Sequence, residues 1–562
     1  MTELLTSAQM RAIESAAIAS GAVTGLELME RAGAGVVAAV LEEWPEMALT
    51  AHRAVVLCGP GGNGGDGFVV ARLLRERGWE VEVFLYGDPE KMPPDARVNY
   101  ERWRGMGEVK ALDCEGFWLD AATTNSDTLL IDAIFGIGLN RPFVCDAAST
   151  TLQFCATNSA IDWHYWPSAR VVAIDAPSGL DADSGSFLLP DPVPPHLEVA
   201  QANLTVTFHR PKIGHMTGKG PDACGKVVVK DIGLKSDRFP DRKAFVIHNS
   251  DERGLLPKFG LHKYTHGHAL ILSGPPGHGG AARLSARGAL RIGAGVVTVG
   301  AMPEAIAEHA AHLNAIMLRA VGDAAALAAV LEDRRINAIC LGPGLGVDAR
   351  AAELVAVALG LPPTSPPAPL RSGEGGGTAP PAPPLSRGRG DGGEGCAIVL
   401  DADALTLLAR DPALFAQLHD RCVLTPHAGE FARLFPDIAA KLAEPATRGP
   451  AWSKVDATRE AAKRAGCVVL YKGPDTLIAD PSGRCSINAA HYDRAAPWLA
   501  TAGSGDVLAG FICGLLARGF APMQAAETAA WLHVECALKF GPGLIAEDLP
   551  EMLPQVFRGL GV

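Results

Sequence analysis

The chain has 562 residues, 48% of them hydrophobic and 20% charged, with a formal net charge of −12. That length is too great for one ordinary hydrophobic core, and a prior of about 150 residues per domain leaves room for two to four. The composition excludes a disordered chain, and the acidic balance argues against general nucleic-acid binding, which depends on Lys and Arg neutralising phosphates. The opening MTELLTSAQMRAIESA has neither a basic n-region nor an apolar h-region, and no apolar run approaches the roughly 20 residues of a membrane span. The 12 cysteines include no C-x-x-C pair, so zinc spacing is missing. Their settings in runs such as AVVLC and NAIC read as reduced core thiols, which makes the cytoplasm the expected compartment.

Thr6 or Ser7 can cap a first helix running to about Ala19, and GLELMERAGAGVVAAVLEEW follows as a second, with small residues suited to close packing. AVVLC (54–58) is then a buried strand, GPGGNGGDG a glycine loop, FVVARLLRERG a helix and VEVFLY the next strand, a βαβ unit. Further strands are expected at 129–134, 171–176, 204–208 and 226–229, and together they imply a mostly parallel sheet. Periodicity is lost from about 240 to 262, and a second α/β series begins at HALILSG. Its strands are GVVTVGA, AICLG, AIVLDA, CVLTP and CVVLYKG, closed by TAGSGDVLAG and the helices after it. The expected domains are therefore 1–238 and 239–562. Residues 361–395, rich in Pro and Gly, are expected to form a disordered surface insertion, with a proline-rich partner ligand as the weaker reading.

Gly59, Gly61 and Gly64 satisfy G-x-G-x-x-G between a strand and a helix, so a hydride-transferring Rossmann domain with Glu82 on the ribose is the first rival. Asn63 and Asp66 speak against it, because they put an amide and a carboxylate where a pyrophosphate needs bare N–H donors. No G-K-[ST] follows, which removes the P-loop. A glycine turn with Asp66 capping the next helix would account for Asp66 but not for the whole cluster.

Taken in order, GGNGGDGFVVARLL, DAIFGIGLNRP, AIDAPSGLDADSG and TFHRPKIGH resemble the NAD(P)H-hydrate epimerases over most of residues 1–235. The family's usual G-N-N-G-G-D-G has Gly62 in place of its first Asn here, and its D-I-P-S-G is DAPSG. The resemblance implies a Rossmann-like three-layer α/β domain. It also implies a hydrate pocket lined by Gly62, Asn63, Gly64, Gly65 and Asp66 together with Gly136, Ile137, Gly138, Leu139, Asn140, Arg141 and Pro142. Asn63, Asp132 and Ser178 would hold potassium, for which an amide, a carboxylate and a hydroxyl are suitable hard donors. Asp175 should meet the substrate and give and take the proton that epimerisation requires. For Lys212, an electrostatic helper role stands beside a surface or phosphate-contact role.

TAGSGDVLAG sets Gly503, Gly505 and Asp506 before an apolar helix, so free amides at the helix start face an anion beside one carboxylate. The arrangement resembles the anion hole and base of ribokinase-like kinases, against the plainer reading of a capping Asp. HKYTHGHALILSG, GHGGAARLSARGALRIGAGVVTV, GPGLG, LDADAL, TPHAGEFARL and YKGPDTLI then resemble the NAD(P)H-hydrate dehydratases, a ribokinase-like α/β branch, over about 260–550. By that resemblance Ala281, Gly346, His427 and Asp506 contact the hydrate. Lys472, Gly473, Pro474, Asp475, Thr476 and Gly505 hold an adenine nucleotide carrying magnesium, and ADP is the expected cosubstrate. Outside the motif, His427 would read as a structural histidine.

The expected substrates are hydrated NADH and NADPH, with no nucleic acid or membrane partner; a homo-oligomer is left open. Two rivals remain: a hydroxymethylpyrimidine or hydroxyethylthiazole type kinase fused to a nucleotide-binding domain, and a non-catalytic nucleotide-sensing N-terminal module.

Overall fold

The computed structural model describes residues 2–113, 127–157, 169–193, 199–235, 244–247, 253–260, 262–363 and 395–562. Two compact units emerge, one made of Thr2–Phe245 with Lys441–Asp456, the other of Val246–Ala440 with Ala457–Val562. The first division falls a few residues beyond the expected 238. Residues Lys441–Asp456 belong to the N-terminal unit, although the sequence put them in the second half.

In the N-terminal unit, Thr6 caps α1 (Ser7–Ala19): its Oγ1 accepts from the Gln9 N–H at 3.2 Å, while the Gln9 side chain accepts from the Thr6 N–H at 2.9 Å. Helix α2 (Gly25–Glu43) starts the same way from Thr24 and Glu27. The strands of its seven-stranded sheet are β1 (Arg53–Cys58), β2 (Glu80–Leu85), β3 (Val109–Ala111), β4 (Thr128–Ala133), β5 (Arg170–Ile174), β6 (Leu204–Phe208) and β7 (Lys226–Lys230). They pair in parallel in the order β3-β2-β1-β4-β5-β6-β7. Every residue of β4 and β6 is buried, as expected of inner parallel strands covered on both faces, whereas β7 is largely open and carries lysines at both ends.

The glycine-rich segment departs from expectation. Helix α3 spans Gly62–Glu76, so GNGGDG is its first turns and not a loop before it. The glycines serve close packing. A Cβ on Gly64 would lie 1.8 Å from the Gly59 carbonyl oxygen, and one on Gly67 2.6 Å from the Ala133 Cβ. The small residues of α2 act likewise, since a Cβ on Gly33 would meet Val69 at 2.5 Å.

The second unit contains β8 (His268–Leu272), β9 (Val296–Ala301), β10 (Met317–Ala320), β11 (Ile336–Leu341), β12 (Ala397–Leu400), β13 (Cys422–Leu424), β14 (Val468–Tyr471), β15 (Asp475–Ala479) and β16 (Cys485–Ala489). Their order is β16-β15-β14-β13-β12-β11-β8-β9-β10, parallel except for β15 and β16. Helices α4 (Gly280–Arg291), α5 (Ala428–Leu434), α6 (Ser504–Ala517) and α7 (Pro522–Phe540) matter below. From Val507 onward α6 is buried in its entirety, so it is a core helix and not an amphipathic surface one. Both units are thus α/β, as expected. The anticipated insertion at 361–395 lies outside the described residues apart from 361–363 and 395. Strands β11 and β12 on either side of it pair directly, Ala338 opposite Ala397.

Ten described cysteines are free. Cys145 is disulfide-bonded, which corrects the expectation that every cysteine is a reduced core thiol. It lies between the Gly136–Pro142 segment and the helix that starts at Asp146, not in an apolar strand such as AVVLC. No helix among the described residues is long and apolar enough to cross a membrane.

Candidate active sites

In the N-terminal unit the singled-out residues gather at the carboxyl ends of neighbouring parallel strands, where α/β sheets leave a crevice. Asp132 ends on β4; its Oδ1 accepts from the Ser178 hydroxyl at 2.6 Å and the Ile134 N–H at 3.2 Å, and its Oδ2 from the Ser178 N–H at 2.7 Å. Burial pushes this carboxyl up to about 6 against the pull of those bonds. Asn63 lies across Gly136, its Oδ1 2.9 Å from where a Cβ there would sit, and its Nδ2 is buried without a hydrogen-bond partner. Asp175 follows β5 with φ +67°, a conformation that strains a residue bearing a Cβ and that accompanies functional sites.

Around Asp175 the side chains form a closed network. The Lys212 ammonium, fully buried, donates to Asp175 Oδ1 at 2.9 Å, to Thr207 Oγ1 at 2.7 Å and to the Phe208 carbonyl at 3.2 Å. Thr207 in turn donates to Asp175 Oδ1 at 2.7 Å. His215 accepts the Lys212 N–H at Nδ1 (3.1 Å), which leaves Nε2 to donate to the Asp175 carbonyl at 2.8 Å. Burial, reinforced by the Lys212 charge, lowers this imidazole to about 4, so it is neutral. For the Asp175 carboxyl burial acts upward, but Lys212 and Thr207 outweigh it and hold the group below the ordinary carboxylate range. Lys212 is therefore the buried counter-ion of Asp175, and its surface reading falls.

Two further carboxyls share the crevice. Burial and then the Asp175 charge push Glu14, on α1, up to about 7, and Asp66 in the first turns of α3 is raised well above its usual value by burial, Asp175 and Glu14. The segment Gly136–Pro142 lies against α1, whose Arg11 donates to the Ile137 carbonyl at 3.1 Å. Ile137, Gly138, Leu139 and Asn140 line a cavity of about 310 Å³ with Arg11 and Asp183. Glu82, the ribose ligand of the rival reading, instead pairs with Arg53 and Lys110, each at 2.6 Å.

In the second unit Gly503, at φ +86°, turns the chain into α6, and the first-turn amides of that helix have no intrahelical carbonyl to bond. The Lys472 ammonium lies beside this start, 3.5 Å from where a Cβ on Gly505 would be. It pairs with Asp401 Oδ1 at 2.8 Å and Glu430 Oε2 at 3.7 Å. Burial raises the Asp506 carboxyl to about 6, helped by Asp401 and opposed by Lys472. Gly346 donates its N–H to Asp403 Oδ2 at 2.9 Å, and Asp403 also raises Asp506, which links the GPGLG loop to the carboxylate cluster. Ala281 opens α4, its Cβ 3.6 Å from where a Cβ on Gly344 would lie. His427 caps α5: its Nδ1 accepts from the Gly429 N–H at 3.0 Å, and its Nε2 lies 3.4 Å from Glu430. The structural reading of this histidine is thus realised, whatever else it does.

Lys472, Gly473, Pro474, Thr476 and Gly505 line one cavity of about 490 Å³, walled also by Leu508 and His533. Asp475 is not on its lining; it begins β15 and is buried there. Ala281, Gly346 and His427 are not on that lining, whereas Asp506 directly follows its Gly505 and feels the Lys472 charge. Residue types alone do not single out Glu14, Thr207, His215, Asp401, Asp403, Glu430 or His533. All but Glu14 and His533 stand inside motifs quoted above, TFHRPKIGH, LDADAL and TPHAGEFARL, where a polar residue within the motif was the available signal.

A family model described as YjeF-related protein N-terminus matches residues 25–214, and one described as NAD(P)H-hydrate dehydratase matches 269–360 and 391–554. The bifunctional NAD(P)H-hydrate repair enzyme of Moorella thermoacetica is 34% identical over 99% of this chain and 97% of its own length. The NAD(P)H-hydrate epimerase of Rhodobacter capsulatus is 47% identical over 42% of this chain and all of its own. A solved ADP/ATP-dependent NAD(P)H-hydrate dehydratase from Bacillus subtilis, co-crystallised with ATP/Mg2+, is 25% identical with a TM-score of 0.41, covering 56% of this chain and 99% of that one. The chain belongs to the family of bifunctional NAD(P)H-hydrate repair enzymes.

Proposed function

We propose that this protein restores hydrated NADH and NADPH, interconverting the R and S hydrates in its N-terminal unit and dehydrating the S hydrate in its second unit at the expense of a nucleotide, ADP being converted to AMP and phosphate. The observation that carries this reading is a pair of separate carboxylate sites, Asp175 with Lys212 and Asp506 with Lys472, in the two units of a chain matched end to end by a repair enzyme. A sensing module has no use for a strained, ion-paired carboxylate. A simple alcohol kinase does not account for the N-terminal relatives named as epimerases.

In the first site Asp175, held as a carboxylate at rest, is suited to begin as the proton acceptor of the give-and-take role expected of it. Asn63, Asp132 and Ser178 fit potassium as oxygen donors, and Asp132 is a buried carboxyl toward which no cationic side chain contributes. When bound, the ion supplies positive charge beside the hydrate pocket. In the second site Asp506 takes the proton of the hydrate hydroxyl, while the α6 amides and Lys472 neutralise the transferred phosphoryl group. Phosphate then leaves where hydroxide would not: the second pKa of a phosphate ester is about 6, against about 15.7 for water. Magnesium enters on the nucleotide phosphates, so it is assigned no protein ligands. A reducing cytoplasmic setting suits the ten free thiols among the described residues, while Cys145 departs from it.

Incubating the pure protein with mixed hydrate epimers, magnesium and either ADP or ATP tests the reading. Both epimers should be consumed, with release of free phosphate and return of NAD(P)H absorbance. A stable phosphorylated product would favour the kinase, and persistence of one epimer would favour a non-catalytic first unit.

A further inference from the structure

The first site contains more acid than one base requires, and its carboxyls are held in opposite states. We propose that Glu14 is the proton-donating acid of the epimerase site, working against Asp175 as the base. The inference rests on the reading of the Asp175 crevice as the epimerase site.

Helix α1 is fixed in rotation by its buried residues Met10 and Ile13, and by the bond from Arg11 to the Ile137 carbonyl at 3.1 Å. Glu14 follows Ile13 and sits three residues after Arg11, hence on the face that meets the Gly136–Pro142 segment. It is half-buried and makes no hydrogen bond among the described residues, unlike Asp132 and Asp175, which are each held by several. The charged groups that act on it are Asp175, Lys212 and Arg11, and Asp66 is coupled to both Glu14 and Asp175. Lys212 and Thr207 both bond the Asp175 oxygen, and the pull of Lys212 on Glu14 is outweighed by burial and the Asp175 charge. Two like charges in one crevice cannot both be maintained, and the one with the counter-ion keeps its charge. A protonated carboxyl beside an ionised one is the arrangement that divides acid from base.

The chemistry balances. Glu14 gives its proton to the hydroxyl on the ring carbon beside the nitrogen; the C–O bond breaks with its electron pair leaving on water, and the nitrogen lone pair forms the C=N bond. A water on the opposite face then forms the new C–O bond and yields its proton to Asp175, while the C=N pair returns to nitrogen. The reverse epimerisation uses the two residues with their roles exchanged, and solvent otherwise restores the protons.

The test compares Glu14→Gln, Glu14→Asp and Asp175→Asn in the full chain, measuring epimerisation above the enzyme-free rate and dehydration of pure S hydrate as the control for an intact protein. Glu14→Gln should lose 10² to 10⁴-fold of epimerisation, by the usual range for an acid–base group, with dehydration unchanged and Glu14→Asp partly active. The wild-type rate should also fall as pH rises through about 7, where Glu14 loses its proton. A rate flat up to about pH 9 would overturn the proposal even if the variants failed to fold. Epimerisation by Glu14→Gln within about threefold of wild type while Asp175→Asn is inactive would sink the acid assignment alone. Wild-type epimerisation by Asp175→Asn would sink the site reading on which it rests.

Discussion

The Lys212–Asp175 pair has a cost as well as a use. With the ammonium fully buried, replacing Lys212 by Met leaves a carboxylate in a closed network without its counter-ion. Breaking a buried pair from one side typically costs about 3–5 kcal/mol, so urea unfolding of Lys212→Met should show a loss of that order in the N-terminal transition. Because the Asp175 carboxyl is depressed in the folded protein, its stabilisation is present above its unfolded pKa and is lost as pH falls through the folded one. The gap between wild type and Lys212→Met should therefore narrow in strong acid; a constant gap would mean that the pair is not ionised. Asp506 behaves in the opposite sense. Its carboxyl is raised to about 6, and only the ionised form can accept the hydroxyl proton, so turnover of the S hydrate should fall as pH drops below that value. A dehydration rate level down to about pH 4.5 would contradict the role. How Lys212 and Asp175 meet was beyond the sequence, because a lysine 37 positions away reads equally well as surface.

At the scale of elements, the glycines of α3 have a mechanical explanation that makes a strong prediction. Gly64→Ala puts a methyl 1.8 Å from the Gly59 carbonyl, where backbone and not a flexible side chain must yield. Epimerisation should fall at least tenfold and the N-terminal unit should lose roughly 1–3 kcal/mol, as overpacked sites do, with dehydration intact. Wild-type epimerisation by this variant would show that α3 has room the packing denies. The strands were legible wherever an apolar run stood between turn residues: β1, β4, β5 and β6 lie within a residue or two of their expected places. The start of α3 was not, since a glycine run carries low helix propensity and only the approach of Gly59 and Ala133 reveals why it is helical. Short edge strands β3 and β10 were missed because half-exposed strands lack a continuous apolar signal. Of the antiparallel pair, β15 begins inside the segment read as nucleotide-binding and β16 was not read as a strand, although the Asp480–Gly483 turn between them was visible.

For the whole molecule, residues 361–395 sit between two strands that already pair in register. Removing them and closing the gap with a short Gly/Ser link should leave thermal stability and both turnovers unchanged, because loop length costs little and the flanks supply the sheet. A large loss of dehydration at unchanged stability would assign the segment a part in that site.

The motif order read from the chain separated two chemistries, and Asp175 and Asp506 fall in different units. The measurement that bears most directly on this division is Asp506→Asn in the full chain, assayed with mixed hydrate epimers, magnesium and ADP. Asparagine preserves the shape at the start of α6 but cannot accept a proton. Dehydration should drop by 10² to 10⁴-fold, about 3–5 kcal/mol of barrier, while R and S hydrates still interconvert at the wild-type rate. Dehydration within about threefold of wild type, or simultaneous loss of both activities in a folded protein, would contradict two independent sites.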